Sequence, residues 1–471
     1  MGSESELNTD GKLKTYLSPL SVWALSFGCA VGWGAFIMPG EIFLLKAGPL
    51  GTALAMFTAA VILIIISINY YYMIKRYPVA GGEFIYVDSI FGKKHAFICS
   101  WFLALCYLSI VPLNATALAL IFRTVLHDVF DFQFGLHYQI AGYDVYLGEV
   151  MLALTALVLF AWLSIRGVSV TGKFQTFLVM LLVGGIGVIS IAACLNSQVI
   201  LSNFEPGFPP DVNNHFVAIL SILAISPWAF VGFDTIPQAA EEFKFSPTKS
   251  LFLMIVAILF GAFAYVALNM ITISILPSGF DNWVDYIKAS KTTSGLMTLP
   301  TFYSTFLLLG KVGLFILSTS VISAILSGLL GFYMATSRLI FAMSRDKVIP
   351  EMFSKLHNKY KTPKNAILFI LAVSIIAPFI GRNVLGWIVD MSSLGAAVGY
   401  AYTSLVAYKY AKDNDATSIK ITGILGFVVS ILFAGLLIIP IPYVNISLGY
   451  ESYVFLLLWI IIGCYFYRTS T

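Results

Sequence analysis

Apolar residues run in long blocks along this chain, with short polar segments between them. Twelve blocks are each near the roughly 20 residues that a helix needs to cross a bilayer. They cover 17–43, 50–74, 96–122, 146–165, 175–195, 216–240, 249–276, 304–341, 365–381, 385–408, 419–441 and 448–467. The pattern predicts an all-α membrane protein of twelve transmembrane helices. The connections are short. The longest are 123–145, 196–215 and 277–303 on one side, and the basic segment 342–364 on the other. Within that basic segment, Arg345-Asp346-Lys347 and Lys355 to Lys359 read as a short surface helix.

Two blocks are interrupted at mid-length. Gly28-Cys29-Ala30-Val31-Gly32-Trp33-Gly34 sits inside the first, and Ser226-Pro227-Trp228-Ala229-Phe230-Val231-Gly232 inside the sixth. Glycine loosens the helical ladder, and proline removes an N–H and clashes with the preceding turn. An unpaired backbone group inside lipid costs several kcal/mol, so such breaks persist only beside a cavity or ligand. Gly34 and Gly232 stand 198 residues apart (232 − 34). They fall at matching points of two five-helix blocks, 17–195 and 216–410. Five is odd, so the second block has inverted topology relative to the first. Broken helices at matching positions of inverted repeats point to a transporter's binding site. The chain then divides into a tail (1–16), the two repeats, and a final helix pair with the C-terminal end (411–471).

Composition sharpens this picture. Of 471 residues, 59% are hydrophobic and 11% charged, against about 25% charged in a soluble domain. Mean hydropathy is +0.90. Of the 27 Lys and Arg, 21 fall on one side when the N-terminus is placed in the cytoplasm. The other six are Lys46, Arg123, Lys288, Lys291, Lys311 and Arg382. This asymmetry predicts cytoplasmic N- and C-termini and a cell-membrane location. The net charge of +4 belongs to these loops and implies no nucleic-acid partner. The first 13 residues lack a signal peptide's apolar core, and Glu6 breaks the myristoylation pattern. The five cysteines are scattered and show no metal-type spacing, and all five histidines lie in loops or at block ends. No cluster of acid, base and nucleophile appears within the blocks, so an enzyme is not expected.

The breaks themselves supply the chemistry. A helix restarting after Gly34 presents free N–H groups and a positive dipole end, suited to a carboxylate. Carbonyls left free near Gly28 to Val31 suit a cation or an amine. Phe230 and Val231 offer a second set. A small zwitterion could be held at Ala30, Val31, Gly32, Trp33, Gly34, Phe230 and Val231 by main chain alone. The rings of Trp228 and Phe230 could close over it as a gate. Tyr107 is a further candidate lining residue. Asp234, just past the sixth break, either caps the broken helix or serves the site. Asp390 pairs on this reading with Arg382, and Glu241-Glu242 with a partner at the cytoplasmic end. Ser318-Thr319-Ser320, Ser323 and Ser327 of the eighth block either bond back to their own helix or offer hydroxyls to a small cation.

Several segments resemble the amino acid–polyamine–organocation (APC) permeases: Gly32-Trp33-Gly34, Trp228 to Asp234 with Glu241-Glu242, and Tyr77-Pro78-Val79-Ala80-Gly81-Gly82-Glu83-Phe84-Ile85-Tyr86. Ser337-Arg338, Arg345-Asp346-Lys347-Val348-Ile349-Pro350 and Tyr360-Lys361-Thr362-Pro363 extend the likeness over nearly the whole chain. The resemblance implies a LeuT-type fold: two inverted five-helix repeats with helices 1 and 6 discontinuous, plus helices 11 and 12. It implies alternating-access transport of amino acids or related amines, with the first glycine segment on the substrate carboxylate and an aromatic at Trp228 above it. Trp33 departs from the small residue usual between the glycines and would shrink the pocket. Leu182 stands where many proton-linked members carry a lysine, seven residues beyond a glutamine matching Gln175. Likeness to sodium-coupled relatives implies a sodium site of the Gly28 and Val31 carbonyls with the Thr319 and Ser320 hydroxyls. The expected activity is secondary transport of neutral amino acids, possible sodium coupling included. An amino acid or amine exchanger and a proton-linked polyamine or cationic amino acid transporter are the alternatives. The expected partners are the small-molecule substrate and the lipid bilayer, with no obligate protein partner.

Overall fold

The computed structural model describes residues 13–126, 130–440 and 447–470, apart from the side chains of 168–170, 389, 469 and 470. Most of the expected tail and His127 lie outside the described residues. Helix α1 (Pro19–Ala30) begins on Ser18, whose hydroxyl accepts the Ser21 N–H at 3.2 Å, with Pro19 in the first turn. The chain leaves helical geometry at Val31 and re-enters it at Gly34, where α2 (Gly34–Met38) begins. One π-helical turn, Pro39–Phe43, joins α2 to α3 (Leu44–Ile74). Gly48, at φ 67°, kinks α3 near its start, and the expected boundary between the first two blocks falls at this kink.

The chain continues through α4 (Glu83–Phe91), α5 (Lys93–Thr124), α6 (Leu147–Arg166) and α7 (Val168–Leu195). Then follow α8 (His215–Ala229), α9 (Thr235–Gln238), α10 (Ser250–Ser274), α11 (Trp283–Ser290), α12 (Pro300–Arg345), α13 (Lys364–Ser374) and α14 (Arg382–Asp413). Helices α15 (Thr417–Ile438) and α16 (Tyr450–Ser470) close the chain. Among the described residues, nine helical segments are long and apolar enough to cross a membrane. Three shorter apolar ones, Pro19–Ala30, His215–Ala229 and Lys364–Phe379, fall on the first, sixth and ninth predicted blocks.

Two surface details depart from the expected pattern. Within a mostly helical chain, β1 (His137–Ile140) and β2 (Tyr143–Tyr146) pair antiparallel in the predicted loop 123–145. Ala141 and Gly142, at φ 50° and 76°, make the two-residue turn, the geometry that matches strand twist in a hairpin. The Arg123 guanidinium fastens the hairpin to α5, pairing with Glu149 and donating to the Asp144 carbonyl at 2.9 Å. No helix forms over Lys355 to Lys359. Pro350 and Pro363 bracket the segment, Lys361 takes φ 53°, and the His357 N–H closes a turn on the Thr362 carbonyl.

The packing partners follow a pattern. α1 packs on α10 and α7, while α8 packs on α3 and α14; α7 packs on α12, while α14 packs on α5. Both described ends of the chain lie at the basic end of the bundle. The Leu13 N–H donates to Glu241, and Tyr467 packs on Phe97 near the start of α5, ring centres 5.1 Å apart.

Candidate functional site

The two helix breaks face one another across close backbone. Val31 (φ −105°, ψ 81°) ends α1, and the Ala35 and Phe36 N–H groups close tight turns on the Gly32 and Trp33 carbonyls. Among the described residues, the N–H groups of Gly32, Trp33 and Gly34 make no hydrogen bond, and neither do the Phe230 and Val231 carbonyls. In α8, Asn214 caps the start, accepting the Phe216 and Val217 N–H groups, and Pro227 lies one turn before the break. Gly232 follows at φ 153°. A β-carbon there would meet the Ala30 nitrogen and the Ser26 carbonyl at 2.5 Å. The two breaks can touch this closely only because that residue is glycine.

A cavity of about 420 Å³ opens beside them, within the size range of small-molecule sites. Ala30, Gly32, Trp33, Gly34, Trp228 and Val231 line it, all of them expected from the sequence. Ile110, Leu113 and Ile225 make its wall largely apolar, and Lys46, Arg382, Asp390 and Leu448 lie towards the end away from the basic face. The Trp228 ring rests on the broken helix: a β-carbon at Gly34 would lie 2.3 Å from its Cη2.

Four expected lining residues are elsewhere, the first being Val31, which is 0% exposed and does not line the cavity. Phe230 is buried against Tyr265 and Gly261 and does not line the cavity, so of the two expected gate rings only Trp228 does. Asp234 and Tyr107 are fully buried behind it. The Asp234 carboxylate accepts the Gly232 N–H at 2.7 Å and the Tyr107 hydroxyl at 2.8 Å. Its two oxygens therefore hold the break in shape. Arg382 and Asp390 form no ion pair among the described residues. The Arg382 guanidinium donates to the Leu113 carbonyl at 3.1 Å and the Thr116 hydroxyl at 2.8 Å.

Among the described residues, neither hydroxyl expected beside Gly28 reaches it. The Thr319 hydroxyl donates to the Phe315 carbonyl at 2.8 Å, and the Ser320 hydroxyl donates to Ile316 at 2.9 Å while facing Gly185 of α7. Ser327, two turns on and so about 10 Å along the helix, is the hydroxyl that reaches Gly28, donating to its carbonyl at 3.2 Å. The space beside Gly28 is filled by the Gln175 amide nitrogen and a Val179 methyl, each 2.8 Å from a β-carbon built there. Leu182, in the lysine position of the proton-linked pattern, is buried in the core.

Asn114, Tyr265, Cys29 and Ile110 are among the cavity residues that sequence reading missed. Asn114 is 3% exposed, its amide nitrogen makes no hydrogen bond, and its oxygen lies 3.7 Å from a β-carbon built on Gly32. An asparagine in mid-block was a usable signal. Tyr265 lines the cavity and donates to the Ala30 carbonyl at 3.2 Å. Cys29 and Ile110 also line it; like Tyr265, nothing in their local pattern sets them apart from core residues.

The basic end is shut. Arg338 pairs with Glu242 at 2.6 Å, both side chains 1% exposed, and the Tyr16 hydroxyl adds a 2.6 Å bond to the same carboxylate. Arg345 pairs with Glu241 at 3.0 Å, and Glu241 also accepts the Ala80 N–H at 3.0 Å. The expected partners of Glu241 and Glu242 are thus two arginines of α12. The Tyr77 and Tyr410 hydroxyls meet in the same layer.

A polytopic helical protein with two interrupted helices beside one apolar cavity has the architecture of a membrane transporter. The sequence model of the family described as amino acid permease matches residues 17–463, and the chain belongs to that family, within the APC superfamily. It is similar to the branched-chain amino acid permease BcaP of Bacillus subtilis, 25% identical over 468 residues, covering 97% of this chain and 92% of that one. It is 25% identical to the methylthioribose transporter of the same organism, covering 85% of this chain and 83% of that one. The cationic amino acid transporter 4, vacuolar, of Arabidopsis thaliana is 25% identical, covering 85% of this chain and 64% of its own length.

Proposed function

We propose that this chain is a secondary permease for neutral, apolar amino acids, working by alternating access in the cell membrane. The observation that carries the reading is the pair of breaks: free N–H groups at Gly32, Trp33 and Gly34, and a free carbonyl at Val231, all lining one cavity. The N–H groups suit the substrate carboxylate, and the carbonyl suits its ammonium. Trp228 covers the pair. The side chain would then lie against Ile110, Leu113 and Ile225.

Charge supports neutrality. Asp234 is spent on Gly232 and Tyr107, so a cationic side chain finds no acid at the depth of the breaks. The branched-chain permeases among the relatives are consistent with this. With both described chain ends at the basic end, the positive-inside rule makes that end cytoplasmic. The cavity then faces outward, sealed inside by the arginine–glutamate pairs. The reciprocal packing of α1 on α10 and α8 on α3, and of α7 on α12 and α14 on α5, is what two inverted repeats, 17–195 and 216–410, would give. The proposed coupling is sodium-independent, supported by the Thr319 and Ser320 hydroxyls, which bond to their own helix among the described residues.

The test is a thermal-shift screen of the purified protein against leucine, isoleucine, valine, lysine and methylthioribose, followed by uptake into liposomes. A ligand that binds the folded state raises its melting temperature by mass action. Leucine, isoleucine or valine should stabilise the protein and be taken up, with lysine and methylthioribose inert. Absence of uptake of every amino acid would overturn the reading.

A further inference from the structure

Among the described residues, the buried acid between the substrate cavity and the cytoplasmic seal has no cation beside it. Glu83 starts α4, outside the spanning helices, and is 0% exposed. Tyr70 donates to one of its oxygens at 2.8 Å and Gln238 to the other at 2.6 Å. The ionisable groups around it are Tyr70 on α3, Tyr86 on α4, Cys99, Cys106 and Tyr107 on α5, Asp234 before α9, and Tyr400 on α14. None is basic. α12 presents Ala342 to the adjoining Gly81, and its Arg338 and Arg345 are engaged by Glu242 and Glu241. A permanent charge there would lack compensation, whereas a carboxyl that takes up a proton is neutral.

Building on the permease reading, we infer that Glu83 is the proton-carrying group that couples an inward proton gradient to amino acid uptake. Asp234, bonded to Tyr107, is near enough to Glu83 for its charge to be felt there, and Tyr70 neighbours both acids. In the outward-facing state a proton from the external water adds to the Glu83 carboxylate. Gln238 goes on donating to one oxygen. The protonated oxygen donates to the Tyr70 oxygen, and the Tyr70 O–H turns towards the neighbouring Thr403 hydroxyl. Burial, with the Asp234 charge adding to it, pushes the Glu83 carboxyl up to about 8. The sealed state therefore holds the proton at neutral pH. When the cytoplasmic seal opens, water reaches the carboxyl, the cost of its charge falls, and the proton leaves to the cytoplasm. One proton enters and one leaves per cycle. A zwitterionic substrate adds no net charge, so each cycle carries one positive charge inward.

The test uses the full chain in liposomes with labelled leucine, an acidic exterior and the potential clamped. Wild type should accumulate leucine only under the gradient. Glu83→Gln should lose that accumulation at least tenfold, while exchange of labelled for unlabelled leucine at equal pH, which needs no net proton movement, continues. Tyr70→Phe removes a bond that favours the charged form. It should move the pH of half-maximal uptake up by about one unit, and it decides the question where Glu83→Gln does not fold. Gradient-driven accumulation by Glu83→Gln at the wild-type level would overturn the assignment, as would an unmoved midpoint in Tyr70→Phe. A purely structural role for Glu83 would lower the melting temperature and leave coupling and pH profile alone. Wild type that exchanges leucine but ignores the gradient overturns only this inference; wild type that moves no amino acid overturns the permease reading itself.

Discussion

The Trp228 ring lies directly against Gly34, so close that a single added carbon on the glycine would sit 2.3 Å from the ring. The contact ties the restart of the first helix to the last turn before the break in α8. It also makes Gly34 and Gly32, two residues apart, sterically unequal. A β-carbon on Gly32 would meet nothing nearer than the Asn114 oxygen at 3.7 Å, an ordinary contact. Gly34→Ala should therefore cost at least about tenfold in uptake, a loss of about 1.4 kcal/mol or more in transition-state terms. Gly32→Ala should keep more of the activity. Initial uptake rates at matched protein levels rank the two, and an equal or reversed ranking would refute the placement of the ring.

Gly232 allows less. Its φ of 153° and the backbone atoms of Ala30 and Ser26 at 2.5 Å leave no room for a side chain. Gly232→Ala should destabilise the protein by about 3 kcal/mol or more, or abolish folding. Gly184, with nothing within 4 Å of its β-carbon, provides the matched control on a spanning helix. Size-exclusion profiles and melting temperatures of the two alanine variants should separate clearly.

The Arg338–Glu242 pair is buried with both partners 1% exposed. Removing one partner strands a buried charge, at about 3–5 kcal/mol, while replacing both with apolar residues of similar size is often close to neutral. Arg338→Met and Glu242→Leu should each lower the melting temperature sharply. The double variant should melt above either single one. A double variant that melts at the sum of the two losses would show that the pair is not isolated from water in this way.

Glu83 also sets a pH dependence of stability. Its folded value of about 8 lies above the ordinary 4.5, so the folded state binds more protons than the unfolded one between those values. Its contribution is complete below about pH 4.5 and is lost as pH rises through about 8. The melting temperature of wild type minus that of Glu83→Gln should therefore fall as pH rises from 5 towards 9. A difference that is flat across this range would place the carboxyl in contact with water.

Replacing sodium by choline should leave uptake unchanged, because the Thr319 and Ser320 hydroxyls are engaged by their own helix. An uptake rate that falls several-fold in choline would restore the expected ion site and require those side chains to move.

Hydropathy was enough to read a multi-pass helical membrane protein, because it reflects the cost of placing polar groups in lipid. The breaks at Gly34 and Gly232 were legible for the same reason: glycine and proline in mid-block leave backbone groups that lipid cannot satisfy. Six of the expected site residues line the cavity because they are the broken segments themselves. What the sequence could not decide was direction. Phe230 lies one residue from Val231 yet turns into the core against Tyr265, and Ser320 faces Gly185 while Ser327, on the same helix, faces Gly28. A helix presents a new face every residue, and only the packing of its neighbours selects which face meets the cavity. The same holds for Asp234 and Glu83. Two acids in apolar surroundings look alike in one dimension, and it is the Tyr107, Tyr70 and Gln238 partners, drawn from three other segments, that fix one as a brace and leave the other able to carry a proton.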